Sequence, residues 1–380
     1  MQYERILKPI EHSFFLFGAR GTGKSTWLKK HYSDALYIDL LDESRYQRYL
    51  ADPSQFASEV RTVAEGSWVI VDEVQRLPSL LNEVHRAIEE KKIRFALSGS
   101  SARKLKRAGT NLLAGRVIRR TIHPFLPYEL EDDFDLDQAL QVGTIPVVWQ
   151  SPDRESTLES YTQMYLREEI QAEALVRNLP SFARFLPVAA VMHAQILSIS
   201  SIARDSESHR NTVASYIDIL EDTLLAFRLP AFEAKLRVKE RKHPKFYFID
   251  CGLVRALKRQ RGSLAIEEKG ALFEGWVANL IRSYNEYQRI YDEWYYWSPI
   301  DSKETEVDFL LRQGSEFIAI EVKSSNSISR RDLKGLKAIE KLKNLKRRIV
   351  VYRGSTRQRI EPDIEILPVK DFIKELPKMF

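Results

Sequence analysis

Residues 18–25 read Gly-Ala-Arg-Gly-Thr-Gly-Lys-Ser, a glycine, four residues, then Gly-Lys-Ser. This spacing constrains the fold more than any other feature of the chain, because it needs a strand before it and a helix after it. Glycines let backbone N–H groups wrap a polyphosphate, and the helix that follows points its positive dipole end at the same anion. The apolar run Phe14–Phe17 supplies the strand, and helical spacing begins at Lys24. In this reading Gly18, Gly21, Thr22, Gly23 and Thr26 form the cradle. Lys24 reaches the β- and γ-phosphates of ATP, and the Ser25 hydroxyl is a ligand for Mg²⁺.

A second motif supplies what a phosphate loop lacks. Residues 68–73 read Trp-Val-Ile-Val-Asp-Glu, an apolar strand ending in two carboxylates. Asp72 would hold Mg²⁺ through water, and Glu73 would polarise the attacking water. Further strands are expected at Leu36–Leu40, Phe95–Leu97 and Val117–Ile122, with helical spacing at Phe56–Ala64 and Leu80–Ile88. Strands alternating with helices imply a parallel α/β sheet. One expected strand, Leu36–Leu40, lies between the phosphate-loop strand and the Asp72 strand, a spacing that resembles the nucleoside triphosphatases with an added strand. That resemblance implies a γ-phosphate sensor on the next strand, where Phe95–Leu97 runs into Ser98-Gly99-Ser100 and offers Ser98 or Ser100. Arg116 suits either an arginine finger acting on a neighbouring copy's nucleotide or a plain surface arginine.

Composition limits the rest. The chain has 380 residues, a formal charge of +6 and one cysteine, which excludes a disulfide framework and a multi-cysteine metal site. No run approaches the ~20 apolar residues of a membrane span, and the first residues carry no apolar signal segment, so a cytoplasmic protein without membrane partners is expected. Basic residues cluster: 11 against 3 acidic in 228–261, and 13 against 3 in 321–360. Such clusters point either to DNA or to solvated helix faces.

From about 150 the pattern turns helical, with candidates at Leu158–Ala174 and Phe182–Leu197 around a breaker at Asn178–Pro180. Ile199–Asp205 and His209–Leu225 then read as a helix–turn–helix. Strands at Phe227–Phe232 and Phe246–Ile249 flank a basic loop, as in a wing. Arg210 and Asn211 would meet DNA bases, and Lys239, Arg241 and Lys242, with Lys245 behind them, its phosphates. The alternative is a helical lid without a nucleic-acid role.

Near the C-terminus, Val307–Leu311 and Phe317–Lys323 read as a hairpin turning at Gln313-Gly314-Ser315. One register puts Asp308 opposite Ile320, the other opposite Glu321. In the second, Asp308, Glu321 and Lys323 share a face. The two carboxylates would hold Mg²⁺ or Mn²⁺, and Lys323 would act on a water and on phosphate charge. Glu274 borders the apolar stripe of a helix formed by Phe273, Trp276, Val277, Leu280, Ile281 and Tyr284.

Together these motifs resemble the bacterial and archaeal AAA+ ATPases that carry a C-terminal nuclease-like domain. Further markers are Leu113-Ala114-Gly115-Arg116, His123-Pro124-Phe125 and Lys245-Phe246-Tyr247-Phe248-Ile249-Asp250-Cys251-Gly252-Leu253. The resemblance implies an α/β chain in three parts: an AAA+ P-loop ATPase domain over 1–150, a helical lid with winged helix–turn–helix over 151–255, and a PD-(D/E)xK restriction-endonuclease-like domain over 256–380. In the last, Glu274, Asp308, Glu321 and Lys323 fall in the family's catalytic places. The C-terminal domain of that family is of undefined function, and the first hypothesis here is a homo-oligomer that hydrolyses ATP and acts on DNA, with cleavage by the C-terminal domain. The rival is a nucleotide-dependent switch or scaffold whose C-terminal domain binds DNA or protein without cutting. The family usually has Gly-Gly before a proline near the domain junction. Here the residues are Gly143-Thr144-Ile145-Pro146, which leaves that tight turn open.

Overall fold

The computed structural model describes residues 3–101, 113, 115–165, 179–234, 240–300, 305–361 and 363–380. The chain divides into two compact units. The first comprises 1–125, 145–150 and 219–225, and the second comprises 126–144, 151–218 and 226–380.

The first unit is built on five parallel strands: β1 (Phe14–Phe17), β2 (Leu36–Asp39), β3 (Trp68–Asp72), β4 (Arg94–Gly99) and β5 (Ile118–Thr121). Their order is β2-β3-β4-β1-β5. β4 is thus inserted between the strand before the phosphate loop and the strand ending in Asp72. Phe14–Phe17, Val69–Val71 and Phe95–Leu97 are all buried, as expected for strands covered on both faces. Helices Glu43–Ala51 and Pro53–Arg61 follow β2, capped by Asp42 on Ser44 N and Arg45 N and by Asp52 on Ser54 N. Only the second of them had a periodic apolar signal. Helix Leu81–Lys91 precedes β4.

The second unit holds two sheets. The smaller is β6 (Gln195–Ile196), β7 (Ala226–Leu229) and β8 (Lys245–Phe248), in the order β6-β8-β7 and antiparallel. The helix expected at Phe182–Leu197 is instead Leu179–Val191 followed by β6. Pro180 opens that helix rather than breaking the chain, because a proline in the first turn removes no helical hydrogen bond. A helix at Arg154–Ser160 matches the start of the Leu158–Ala174 expectation, whose later part lies outside the described residues.

Helices Ile199–Asp205 and Arg210–Asp222 are joined by a four-residue turn, as the sequence implied. The described residues of the loop between β7 and β8 do not project freely as a wing. Its described ends lie along the strand Glu293–Trp297 (β9), with Phe232 N bonded to Tyr296 O at 2.8 Å and Arg241 N to Ser298 O at 2.9 Å. Aromatic packing holds it there: Phe232 meets Tyr295 and Phe317 at ring distances of 5.2 and 5.3 Å.

The larger sheet is mixed, in the order β13-β14-β12-β11-β10-β9. Its strands are β9, β10 (Val307–Gln313), β11 (Glu316–Lys323), β12 (Leu345–Tyr352), β13 (Gln358–Glu361) and β14 (Ile364–Pro368). The 23-residue helix Ile266–Gln288 buries the stripe predicted for it. Among the described residues no helix is long and apolar enough to cross a membrane.

Gly143 has φ +77°, and Thr144 N donates to Asp250 Oδ2 at 2.7 Å, so the junction turns with one glycine where two were expected. Asp250 also caps the next helix through Leu253 N. That helix, Cys251–Leu257, packs through Gly252 onto the end of helix Leu136–Val142. A Cβ on Gly252 would lie 2.1 Å from Val142 O, a backbone atom that cannot rotate away. Gly252→Ala is therefore expected to destabilise the protein by about 1–3 kcal/mol. Gly270→Ala, in a helix with no atom nearer than 4.0 Å, should be neutral or stabilising by up to about 1 kcal/mol. Urea midpoints of the two variants at unchanged m-value test the contrast.

Candidate functional site

The N-terminal site gathers the ends of β1, β3 and β4. Gly21 and Gly23 have φ of +75° and +89°, which turn the loop before helix Lys24–His31. Gly18 passes so close to β5 that a Cβ would lie 2.7 Å from Ile122 Cγ2. Lys24 is buried and points into the loop, with Nζ donating to Gly18 O at 2.9 Å. Thr22 Oγ1 donates to Ala19 O at 2.6 Å. Beside the loop lies a pocket lined by Thr22, Gly23, Thr26, Trp27, Tyr3 and Phe125. Tyr3 meets Phe125 edge-on at 5.0 Å, and Arg5 covers the Phe125 ring at 4.8 Å.

Asp72 is buried and doubly held: Ser98 Oγ donates to Oδ1 and the Tyr37 hydroxyl to Oδ2. Burial first, and then Asp72, push the Tyr37 phenol up, keeping it a donor. Glu73 adopts a left-handed backbone, φ 57°, uncommon for a residue with a side chain. Its carboxylate accepts from Gln75 Nε2, which also donates to Ser100 Oγ at 3.1 Å. Both serines read as sensors thus engage this pair, Ser98 through Asp72 and Ser100 through Glu73 at 3.4 Å. Tyr37 and Gln75 were not singled out by sequence. The only hint for Gln75 was its place two residues after Glu73. Arg116 is not part of this cluster in a single chain, where it pairs with Glu89 on helix Leu81–Lys91.

The second cluster lies on the large sheet. Phe309 pairs with Ile320, which sets Asp308 opposite Glu321, the second of the two registers. Asp308 and Glu321 are buried, and Lys323 Nζ pairs with Glu321 Oε1. Glu274 arrives from helix Ile266–Gln288, and Glu306 joins from the residue just before β10. The centre of the group is Lys245. It was expected on a DNA-facing loop, but it begins β8 with a side chain only 2% exposed. Its ammonium meets Glu274 Oε1 at 2.8 Å, Asp308 Oδ1 at 3.1 Å and Glu306 Oε1. Tyr247, two residues on and therefore on the same face, donates to Glu274 at 2.7 Å.

Four carboxylates against two ammoniums leave a buried excess of negative charge. Burial and then Asp308 push Glu274 up to about 7 and Glu321 well above the carboxylate range. Against its own burial, Asp308 is held low by Lys245 and Lys323. Among the described residues no group of three or more His, Cys, Asp or Glu is arranged to hold a metal ion. The Asp308–Glu321 pair therefore comes together as read, with an ammonium where a metal was expected.

Arg210 and Asn211 are exposed at the start of their helix, and Lys242 is exposed but within 3.3 Å of Glu233. Arg241 is half-buried, and Lys239 lies outside the described residues. Much of the basic excess in 321–360 is neutralised locally. Lys346 pairs with Glu316, Arg347 with Glu365 and Glu375, Arg353 with Asp137, and Arg357 with Glu365 and Glu375.

Residues 11–131 match the family model of an AAA domain. Residues 133–264 and 269–372 match two domains of unknown function, DUF8612 and DUF4143. The uncharacterised proteins Rv2008c of Mycobacterium tuberculosis and Mb2031c of Mycobacterium bovis are each 24% identical over 316 residues, 80% of this chain and 69% of the relative. Among solved structures, the Thermotoga maritima RuvB Holliday junction branch migration motor aligns at 14% identity and a TM-score of 0.29. It covers 58% of this chain and 82% of that one. The replication initiator DnaA bound to AMPPCP and single-stranded DNA aligns at 17% identity and a TM-score of 0.28, covering 57% and 83%. Likenesses this weak do not define a fold.

The raised carboxyls have a consequence for stability. A carboxyl whose folded pKa lies above its unfolded value of 4.5 contributes fully below that value and loses its contribution as pH rises through the folded pKa. Stability is thus expected to fall between about pH 5 and pH 8. Glu274→Gln should flatten that slope, whatever it does to the absolute level. Urea unfolding across this range checks it.

Proposed function

We propose that the chain is an ATP-hydrolysing AAA+ protein that acts on DNA, with three functional parts at 1–150, 151–255 and 256–380. The observation that carries the ATPase reading is the convergence of Lys24, Ser25, Asp72 and Glu73 at the ends of β1 and β3, on either side of β4. The hydroxyl of Ser25 and the carboxylate of Asp72 are oxygen donors, the kind a hard cation takes, and they fit Mg²⁺. When bound with ATP, the ion supplies neutralisation of the phosphate charge. Lys24 then binds the β- and γ-phosphates, and Glu73 accepts a hydrogen bond from the attacking water and orients it. Gln75 steadies Glu73 through its amide. The pocket of Tyr3, Phe125 and Trp27 offers aromatic surface for the base. Arg116 is assigned to a neighbouring copy's nucleotide in a homo-oligomer.

Lys24→Ala is expected to abolish ATP binding. Glu73→Gln should keep binding within a fewfold while turnover falls by at least 10²-fold, on the scale of general-base removal. Fluorescent-nucleotide titration and steady-state phosphate release separate the two. Unchanged turnover in Glu73→Gln would remove Glu73 from the mechanism.

The DNA part is supported by Arg210 and Asn211, exposed at the start of the second helix of a helix–turn–helix. Replacing Lys239, Arg241 and Lys242 with Ala should weaken binding on all sequences alike and reduce the salt slope by up to about 3. A salt series of DNA-shift assays reads this, and an unchanged slope would take the loop off the DNA.

For the C-terminal part, metal-dependent cleavage needs a cation held by Asp308 and Glu321. The ammonium of Lys245 against Asp308, Glu274 and Glu306 does not fit that need. It favours the second reading, in which this part engages DNA or protein without cutting.

A further inference from the structure

We propose that Lys245 is a built-in cation that takes the place of a divalent metal ion in the C-terminal carboxylate cluster. This rests on the non-cutting reading of that part and is independent of the ATP site.

An ammonium has three N–H donors and no acceptor. Lys245 faces three carboxylates: Glu274 on the helix, Asp308 on β10, and Glu306 just before that strand. All three donors are thereby satisfied. The oxygens it uses, Glu274 Oε1 and Asp308 Oδ1, are ones a metal ion would need. Mg²⁺ binds oxygen at about 2.0–2.1 Å, whereas these oxygens sit 2.8 and 3.1 Å from Nζ. An ion inserted between them would meet the ammonium as a like charge.

Two further carboxylate oxygens are also engaged. Asp308 Oδ2 accepts from Val322 N at 2.9 Å, and Glu321 Oε1 from Lys323. Among the described residues, Glu321 Oε2 is buried without a partner. One oxygen does not make a metal site.

The ammonium is also fixed where it is. Lys245 sits in β8, paired with Ile196 on one side and Leu229 on the other, and its charge lies 5.7 Å from the centre of the Tyr296 ring. The backbone of Glu306 is held from behind by Gly335, where a Cβ would come within 1.7 Å of Glu306 O. Lys245, Glu274 and Asp308 each lie within a regular element, β8, the helix Ile266–Gln288 and β10.

The test is Mn²⁺ alone, titrated into the nucleotide-free full chain and followed by electron paramagnetic resonance of free Mn²⁺. Four proteins are compared: wild type, Asp308→Asn, Lys245→Met and the double variant. Any weak ion at Ser25 and Asp72 is common to all four. Wild type and Asp308→Asn should give superimposable titrations. Lys245→Met should gain one Mn²⁺ per chain, bound at least tenfold more tightly than any in wild type, and the double variant should lose it. A wild-type Mn²⁺ site that disappears in Asp308→Asn would overturn the inference. So would a folded Lys245→Met that gains none. If Lys245→Met does not fold, the comparison of wild type with Asp308→Asn still decides. Asp308-dependent Mn²⁺ binding without DNA nicking overturns the inference alone, whereas Asp308-dependent nicking overturns the non-cutting reading as well.

Discussion

The chemistry of the N-terminal unit depends on β4 lying between β1 and β3. Without that strand, Asp72 and Glu73 would end one strand spacing closer to the phosphate loop, roughly 4.8 Å, with no residue between them and β1. With it, Ser98 and Ser100 stand at the exit of the intervening strand and bond to Asp72 and Glu73. The inserted strand therefore sets the distance between phosphate cradle and carboxylates, and it also supplies the donors that orient them. Tyr37, from the far side of β3, completes the hold on Asp72. Glu73 needs this support, because a left-handed backbone at a residue with a side chain stores strain that the surroundings must sustain.

In the second unit the organising interaction is electrostatic. Buried carboxylates repel unless a cation or protons compensate them. Here one ammonium comes from β8, a strand of a different sheet, and the raised carboxyls of Glu274 and Glu321 take up the remaining charge. The cluster is balanced by charges from within the chain. It places the four residues expected of a nuclease side by side, yet it differs from a metal site in the identity of its central cation.

The same contrast runs through the basic clusters. Thirteen basic residues in 321–360 suggested a polyanion surface. The fold spends several of them on glutamates brought in from β14 and from helix Val369–Glu375, such as Glu365 and Glu375 against Arg347 and Arg357. Net charge along a segment is therefore a poor guide to the potential it presents, since the partners come from elsewhere in the chain. Arg210 and Asn211, which remain exposed at a helix start, are the better evidence for a nucleic-acid face.

The sequence by itself determined the local parts. The phosphate loop, the strand ending in Asp72-Glu73, the buried stripe of helix Ile266–Gln288 and the Asp308–Glu321 hairpin follow from spacing within one or two elements, and short-range periodicity carries that information. The hairpin register needed only the two-residue turn at Gly314-Ser315 to become unique. What only the tertiary structure decided are the meetings between distant elements. These include the hold of Tyr37 on Asp72, the docking of Phe232 and Arg241 along β9 and its end, and Lys245 among carboxylates 29 to 63 residues away. A lysine heading the run Lys-Phe-Tyr-Phe looked like the end of a basic loop. Burial turned it into a counter-ion, because charge pairs through space in a low-dielectric interior, and no linear pattern records which charges will meet there.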